Sequence, residues 1–405
     1  MLFAATTAGC GGRSAGGPPT LKWYAGKEDS GAYDQIIARC NQQANGRYRI
    51  AFAPLPASSD DQREQLVRRL ASHDSDIDII GVDIPWVAEF SAAKWLAPWP
   101  ADRAAVVTDG AIPSTVQSVT YKGTVMAAPF TSNAQLLWYR TDRVPQPPQT
   151  WDDMIRTAEQ LPEGQRYIEV QGERYEGLTV WFTSLLASAG GTIVDDQGEH
   201  ITLPEGPTKA ALQVMHDLAN SSAADPALST TREDEARLAF ESGKASFELN
   251  YSFVWPSAQK NVPDIATHMG YARWPSVVAG QPSHVTLGGT HLGVGAYSKH
   301  KDFAFDAITC MRDAASQSIA ATVGGLAPSR DALYDDPQVR AKFPFADVLR
   351  DSIRDAVLRP ATPAYDDVSV AIQRTLHPPR SVDPDHTYND LKDLLGHAIK
   401  SEGLL

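Results

Sequence analysis

The sequence predicts an α/β protein with a largely parallel sheet, spread over two domains, and three observations carry that prediction. Short β-rich runs alternate with amphipathic helical segments from residue 20 onward, the pattern that strand–helix–strand units produce. The chain has 405 residues, 42% apolar and 21% charged, enough to bury a core in each of two ordinary domains. No run approaches the roughly 18 to 20 consecutive apolar residues of a spanning helix, so any membrane contact has to come from an anchor.

The elements follow in chain order. MLFAATTAGC is a short apolar and small-residue stretch ending in Ala8-Gly9-Cys10. It fits the tail of a lipoprotein signal, in which Cys10 becomes the lipidated first residue; the basic part and most of the apolar part of such a leader are missing, so the start reads as truncated. GGRSAGGPP, residues 11 to 19, is a flexible tether. LKWYAG reads as a strand, and in YDQIIARC the residues Tyr33, Ile36, Ile37 and Cys40 fall at i, i+3, i+4 and i+7, which puts Cys40 on the buried face of a helix. RYRIAFAPL, a helix around Gln62 to Leu70, and the strand Ile77 to Val82 continue the alternation. Asp83 ends that strand, where ligands sit in such sheets; its other reading is a helix N-cap.

In the middle of the chain, the Pro-rich PQPPQ leads into a helix capped by Thr150, with Trp151, Met154, Ile155, Ala158 and Leu161 on one face. A helix ending ARLAFESGKA, the strand SFELNY, the Gly-dense LGGTHLGVGAYS, and a helix in which Phe303, Ala307 and Cys310 share a face complete the pattern. Glycines at 288, 289, 293, 295, 324 and 325 fit bends or hinges between lobes better than a dinucleotide loop, because no G-x-G-x-x-G opens a helix after a strand. Apart from Cys10, the cysteines are the pair Cys40 and Cys310, far apart in sequence; they can bond if their helices are neighbours, and two inert core thiols are the alternative.

Charge and motifs narrow the function. Lys+Arg 36 against Asp+Glu 49 gives a formal charge of −13, which excludes the phosphate attraction that nucleic-acid binders need. The templates G-x-S-x-G, H-E-x-x-H, C-x-x-C and Walker A are absent, and the ten His residues form no ligand-spaced pair, so neither metal nor cofactor is expected. Asp83, Glu233 and Glu248 could meet as the acid and base of a glycosidase, although Glu233 also reads as an N3 capping carboxylate behind Thr230. The remaining Asp, Glu, Asn, Arg and aromatic side chains suit a neutral polyhydroxylated ligand. Trp138, Trp151, Trp181 and Trp274 read as core fillers rather than ligand platforms.

The segments WYRTDRVPQPPQTWDDM, LAFESGKASFELNY, LGGTHLGVGAYSKH and GGLAPSR, in that order, with CNQQ near the start and VLRPATPAY near the end, resemble the carbohydrate solute-binding lipoproteins of bacterial ABC importers, closest to the trehalose-binding ones of mycobacteria. The similarity spans roughly residues 20 to 405. It implies a two-lobed, periplasmic-binding-protein-like fold of type II. Residues 1–19 would be signal remnant and tether, 20–128 plus 291–328 the N-terminal lobe, and 129–290 plus 329–405 the C-terminal lobe, with crossings near 128 to 133, 286 to 292 and 325 to 330. Carried over by position, it implies sugar contacts at Asp83, Asn133, Glu233 and Arg359, with Tyr251 packing on a ring. Gly325 and Leu326 would line the cleft, and Lys27, Glu28 and Ser59 would lie on its other wall. Tyr251 stands where that group has Trp, and the stretch from Asn261 to Trp274 is shorter.

The function so implied is delivery of an α-linked disaccharide, trehalose foremost, to ABC permease subunits by a monomer lipid-anchored on the outer face of the cytoplasmic membrane, without covalent chemistry. The alternatives are an extracellular carbohydrate-active enzyme using Asp83, Glu233 and Glu248, and a surface adhesion or scaffold protein.

Overall fold

The computed structural model describes residues 17–56 and 58–401. Cys10, with its proposed lipid, lies outside the described residues. Two sheets organise the chain. The first runs in the order Arg49–Leu55, Thr20–Gly26, Ile79–Asp83, Thr290–Gly295, Leu96–Ala97, with Ala127–Pro129 also paired to Thr290–Gly295. Its first three strands are parallel, as the strand–helix alternation predicts, and Thr290–Gly295 enters antiparallel from the other lobe.

The second sheet departs from the largely parallel expectation. Its order is Met269–Ala272, Leu136–Arg140, Ala245–Asn250, Tyr167–Glu169, and only the last pair is parallel. Strand direction depends on which strands pair, and the partners here come from segments 78 to 135 residues apart, beyond the reach of a local pattern. Each sheet is covered by helices, so its strands read as near-continuous apolar runs such as LLWYR, all five residues of which are buried.

Local readings hold where the physics is local. Thr150 accepts a hydrogen bond from the Asp153 backbone N–H at 3.0 Å, capping the helix Trp151–Glu159, and Trp151, Met154, Ile155 and Ala158 are its buried face. Trp138, Trp151, Trp181 and Trp274 are all core, as expected from their bulk. Cys40, on the helix Ala32–Ala44, is bonded to Cys310, on the helix Lys301–Met311, with Cα atoms 5.9 Å apart.

Three segments pass between the lobes and are hydrogen-bonded to one another. The Asn133 and Gly288 backbones exchange a reciprocal pair at 2.8 Å, Thr131 N–H donates to Thr290 O at 3.0 Å, and Ser132 N–H donates to Ala327 O at 2.9 Å. At Gly289, with φ +123, a Cβ would lie 2.3 Å from Thr131 O, so only glycine lets these segments approach so closely. The cluster expected as one hinge therefore divides. Gly288 and Gly289 sit at the crossing, whereas Gly293 and Gly295 lie inside a strand, where a Cβ would strike Leu96 and Ile77 O respectively.

Candidate functional site

Between the lobes lies a cleft of about 760 Å³. Its first wall is built at strand ends, where the parallel sheet predicts a ligand: Gly26 ends one strand, Lys27 follows it, and Asp83 closes another. Three helices begin at the cleft, Ser59–Ala71, Glu176–Ser188 and Glu233–Glu241, each with a carboxylate in its first turn. The unpaired N–H groups and positive dipole end of a helix start favour acids there. The same chemistry that caps helices thus lines the cleft with acceptors. Tyr33, Trp86, Tyr175 and Tyr251 supply aromatic surface, and the three crossing segments form the floor.

Arg359 is the centre of the polar network. It is 5% exposed and joins the lobes: Nη2 donates to Asp83 Oδ1 at 2.9 Å and Nη1 to Glu176 Oε1 at 2.6 Å. Burial works against its charge, but Asp83, then Tyr365 and Glu176, hold the guanidinium well above its ordinary pKa. Glu176 also accepts from the Tyr365 hydroxyl and from Ser369 Oγ at 2.7 Å. Asp83 accepts from Ser59 Oγ at 3.3 Å and from the Ile84 N–H at 2.7 Å. One donor is left over: Arg359 Nε is buried and has no hydrogen-bond partner among the described residues. A second ion pair across the lobes, Arg63 to Asp366 at 3.0 Å, lies beyond this network.

The other expected residues divide by what their backbone demands. Asn133, Glu233, Tyr251, Leu326, Lys27 and Ser59 all line the cleft with Asp83 and Arg359. Asn133 Oδ1 accepts from the Ala134 N–H at 3.0 Å, which turns its amide NH2 into a free donor. Burial raises the Glu233 carboxyl above its ordinary pKa even though Tyr175 beside it favours the charge. Glu28 and Gly325 do not line the cleft. The Glu28 carboxylate is taken up by the Ser30, Ala32 and Tyr33 N–H groups at the start of the helix Ala32–Ala44, and Gly325 is the left-handed cap of the helix Ala314–Gly324.

Two capping readings are corrected. The N3 residue of the helix Glu233–Glu241 is Glu235, which accepts from the Arg232 N–H at 3.2 Å; Glu233 occupies the first helical position instead. Asp83 bonds the neighbouring Ile84 N–H, and the helix Trp86–Ala92 has no side-chain cap. Sequence reasoning missed Glu176, Tyr175 and Asp60. The signal for Glu176 was present, an acid opening the apolar run Leu178 to Leu186. Tyr175 is held by Arg232, whose guanidinium lies 4.7 Å from its ring centroid and is gripped by both oxygens of Glu173 at 2.6 Å. Asp60 is pushed up to about 6 by loss of water, by Glu176 and by Asp366.

Glu248, proposed as one of three carboxylates that could meet, does not reach the cleft. It is fully buried in the strand Ala245–Asn250, where Oε1 accepts from Asn250 Nδ2 at 2.6 Å and Oε2 has no partner. Burial pushes its pKa up to about 8 from an ordinary 4.5. The folded chain then holds a proton that the unfolded chain releases, so this group's contribution is full below pH 4.5 and is lost as pH rises towards 8. Glu248→Gln keeps the acceptor for Asn250 and removes the charge. It is expected to raise the melting temperature at pH 8 by about 2–5 °C, a stabilisation on the order of 2–4 kcal/mol, and to change little at pH 5. Thermal unfolding across pH checks it; an equal shift at both pH values would rule out the buried-charge explanation.

Two α/β lobes joined by three crossing segments, with a cleft lined from both sides by hydrogen-bonding groups, define a two-lobed, periplasmic-binding-protein-like fold. The chain belongs to the bacterial extracellular solute-binding proteins, whose family model matches residues 26–318. A probable ABC transporter-binding protein of Deinococcus radiodurans is 31% identical over 348 residues, 81% of each chain, and the mannitol-binding protein of Pseudomonas aeruginosa is 26% identical over 72% of this chain and 70% of its own. Among solved structures, maltose-bound MalE3 of T. maritima superposes with a TM-score of 0.84 at 28% identity, covering 93% of this chain and 99% of that one. The GacH receptor of Streptomyces glaucescens, at 19% identity and a TM-score of 0.81 over 95% and 99% of the two chains, shares the fold. No helix among the described residues is long and apolar enough to cross a membrane.

Proposed function

We propose that this protein captures an α-linked disaccharide, trehalose first among the candidates, outside the cytoplasmic membrane and presents it to an ABC permease. The observation that carries the reading is the composition of the cleft: Asp83, Asn133, Glu233 and the unpartnered Arg359 Nε stand among four aromatic side chains. A sugar offers many hydroxyls and little apolar area, so its affinity has to come from several directed bonds plus a stacked face. The maltose bound by the T. maritima relative and the mannitol named for the Pseudomonas one support a polyhydroxylated ligand. Tyr251 lies against the crossing, 3.4 Å from where a Gly288 Cβ would stand, and is assigned to one sugar ring. A lipid on Cys10 would hold the monomer at the membrane, with residues 20–128 plus 291–328 and 129–290 plus 329–405 as the lobes that close on the sugar.

The enzyme alternative loses support with Glu248 out of the cleft and Asp83 bound to Arg359. Thermal unfolding with trehalose, maltose and mannitol, with chromatography of each mixture, tests the reading. Trehalose at 100 times its dissociation constant is expected to stabilise by about 2.7 kcal/mol with no product. Stabilisation by another sugar alone reassigns the ligand, hydrolysis makes the protein an enzyme, and no response to any sugar rejects the proposal.

A further inference from the structure

A second cavity of about 690 Å³ opens on the first lobe, away from the sugar cleft. The strand Thr290–Gly295 starts at the cleft and runs to Ala296, which lines this second cavity; at about 3.3 Å per residue the two lie roughly 20 Å apart. Leu96, Met126 and Phe305 give it apolar walls. The charged residues lining it are Lys94, Lys122 and Lys301, with no carboxylate among them, a local reversal of sign in a chain of formal charge −13.

Two of these three ammonium groups have no ionic partner among the described residues. Lys94 and Lys301 have no carboxylate within 4.0 Å among the described residues, and Lys122 pairs with Glu199 of the other lobe at 3.6 Å with its ammonium 5.7 Å from the Tyr121 ring centroid. Like charges gathered at one mouth repel unless an anion sits between them. Apolar walls call for hydrocarbon. A neutral sugar would set its hydroxyls against those walls, and an inorganic anion would leave them empty.

We propose that this cavity binds a single-chain amphiphilic carboxylate of medium length, its acid group among the three lysines and its chain against Leu96, Met126 and Phe305. None of these residues lines the cleft between the lobes, so the inference stands or falls independently of the sugar.

Sodium decanoate, titrated into the full chain by displacement of the fluorescent anion 8-anilinonaphthalene-1-sulfonate, is expected to fill one site with a Kd below about 1 mM. 1-Decanol should bind at least tenfold more weakly, and so should decanoate to the double variant Lys94→Gln/Lys301→Gln, whose melting temperature should match the parent's. Saturating trehalose should leave the decanoate isotherm unchanged. Absence of binding at about 1 mM, equal affinity for decanol, or undiminished affinity in the double variant overturns the proposal. So does flotation of the chain with phosphatidylglycerol vesicles that decanoate fails to prevent, which would assign the lysines to a membrane surface.

Discussion

Arg359→Ala is expected to weaken sugar binding by about 10- to 150-fold, the equivalent of losing roughly 1.5 to 3 kcal/mol of hydrogen bonding to a charged group. Two effects add. The variant loses the buried, unpartnered Nε donor, and it leaves the carboxylates of Asp83 and Glu176, one from each lobe, without the cation that neutralises both. Removing one partner of a buried ion pair costs more than the pair was worth, because the remaining charge stays desolvated. Arg359→Lys is a stringent companion: a single ammonium lacks the fork that reaches two carboxylates at once, so it should recover only part of the loss. Calorimetric titration of both variants, with circular dichroism to establish that they fold, reads the effect. Affinity within threefold of the parent in a folded Arg359→Ala protein would remove Arg359 from the site.

Loss of the Cys40–Cys310 bond is expected to cost about 3–5 kcal/mol of stability. The bond closes a loop spanning 270 residues, and its chain-entropy benefit grows with loop length. It also has a specific place in the fold. The first lobe is assembled from distant parts of the chain, and the bond ties its first helix, Ala32–Ala44, to the helix Lys301–Met311, which follows the return of the chain from the second lobe. Both helices keep their apolar contacts in a Cys40→Ser/Cys310→Ser variant, so the fold should survive with a lower denaturation midpoint. Urea unfolding of parent and variant, each with and without reductant, separates the causes. Reductant should bring the parent down to the variant and leave the variant unchanged; a difference below about 1 kcal/mol would assign the bond no stabilising role.

Much of the site was legible because its residues sit where local rules put them. Asp83 was found as the last residue of a strand in a parallel sheet, and in the structure it does point into the cleft. Where two local rules competed, position alone could not choose. Glu28 and Glu233 both lie next to helix starts; the carboxylate of Glu28 folded back onto backbone N–H groups, while that of Glu233 faces the cleft and Glu235 does the capping. Glu248 was unreadable as a core residue because an acid in a strand is ordinarily at a surface, and only the tertiary packing around its sheet encloses it.

The sequence by itself determined the α/β class, the Thr150 cap and buried faces of individual helices, the core role of the tryptophans and the acidic, hydrogen-bonding character of the candidate site, because each depends on periodicity and on side-chain chemistry within a few residues. The tertiary structure alone decided which strands pair and in which direction, that Cys40 meets Cys310, and that Arg359 bridges Asp83 and Glu176 across two lobes. The disulfide and the two Arg359 bonds join positions separated by 183 to 276 residues. Over such distances a residue's partner is chosen by which whole surfaces pack together, a balance of burial and chain entropy summed over each lobe, and no local stretch of sequence carries that sum.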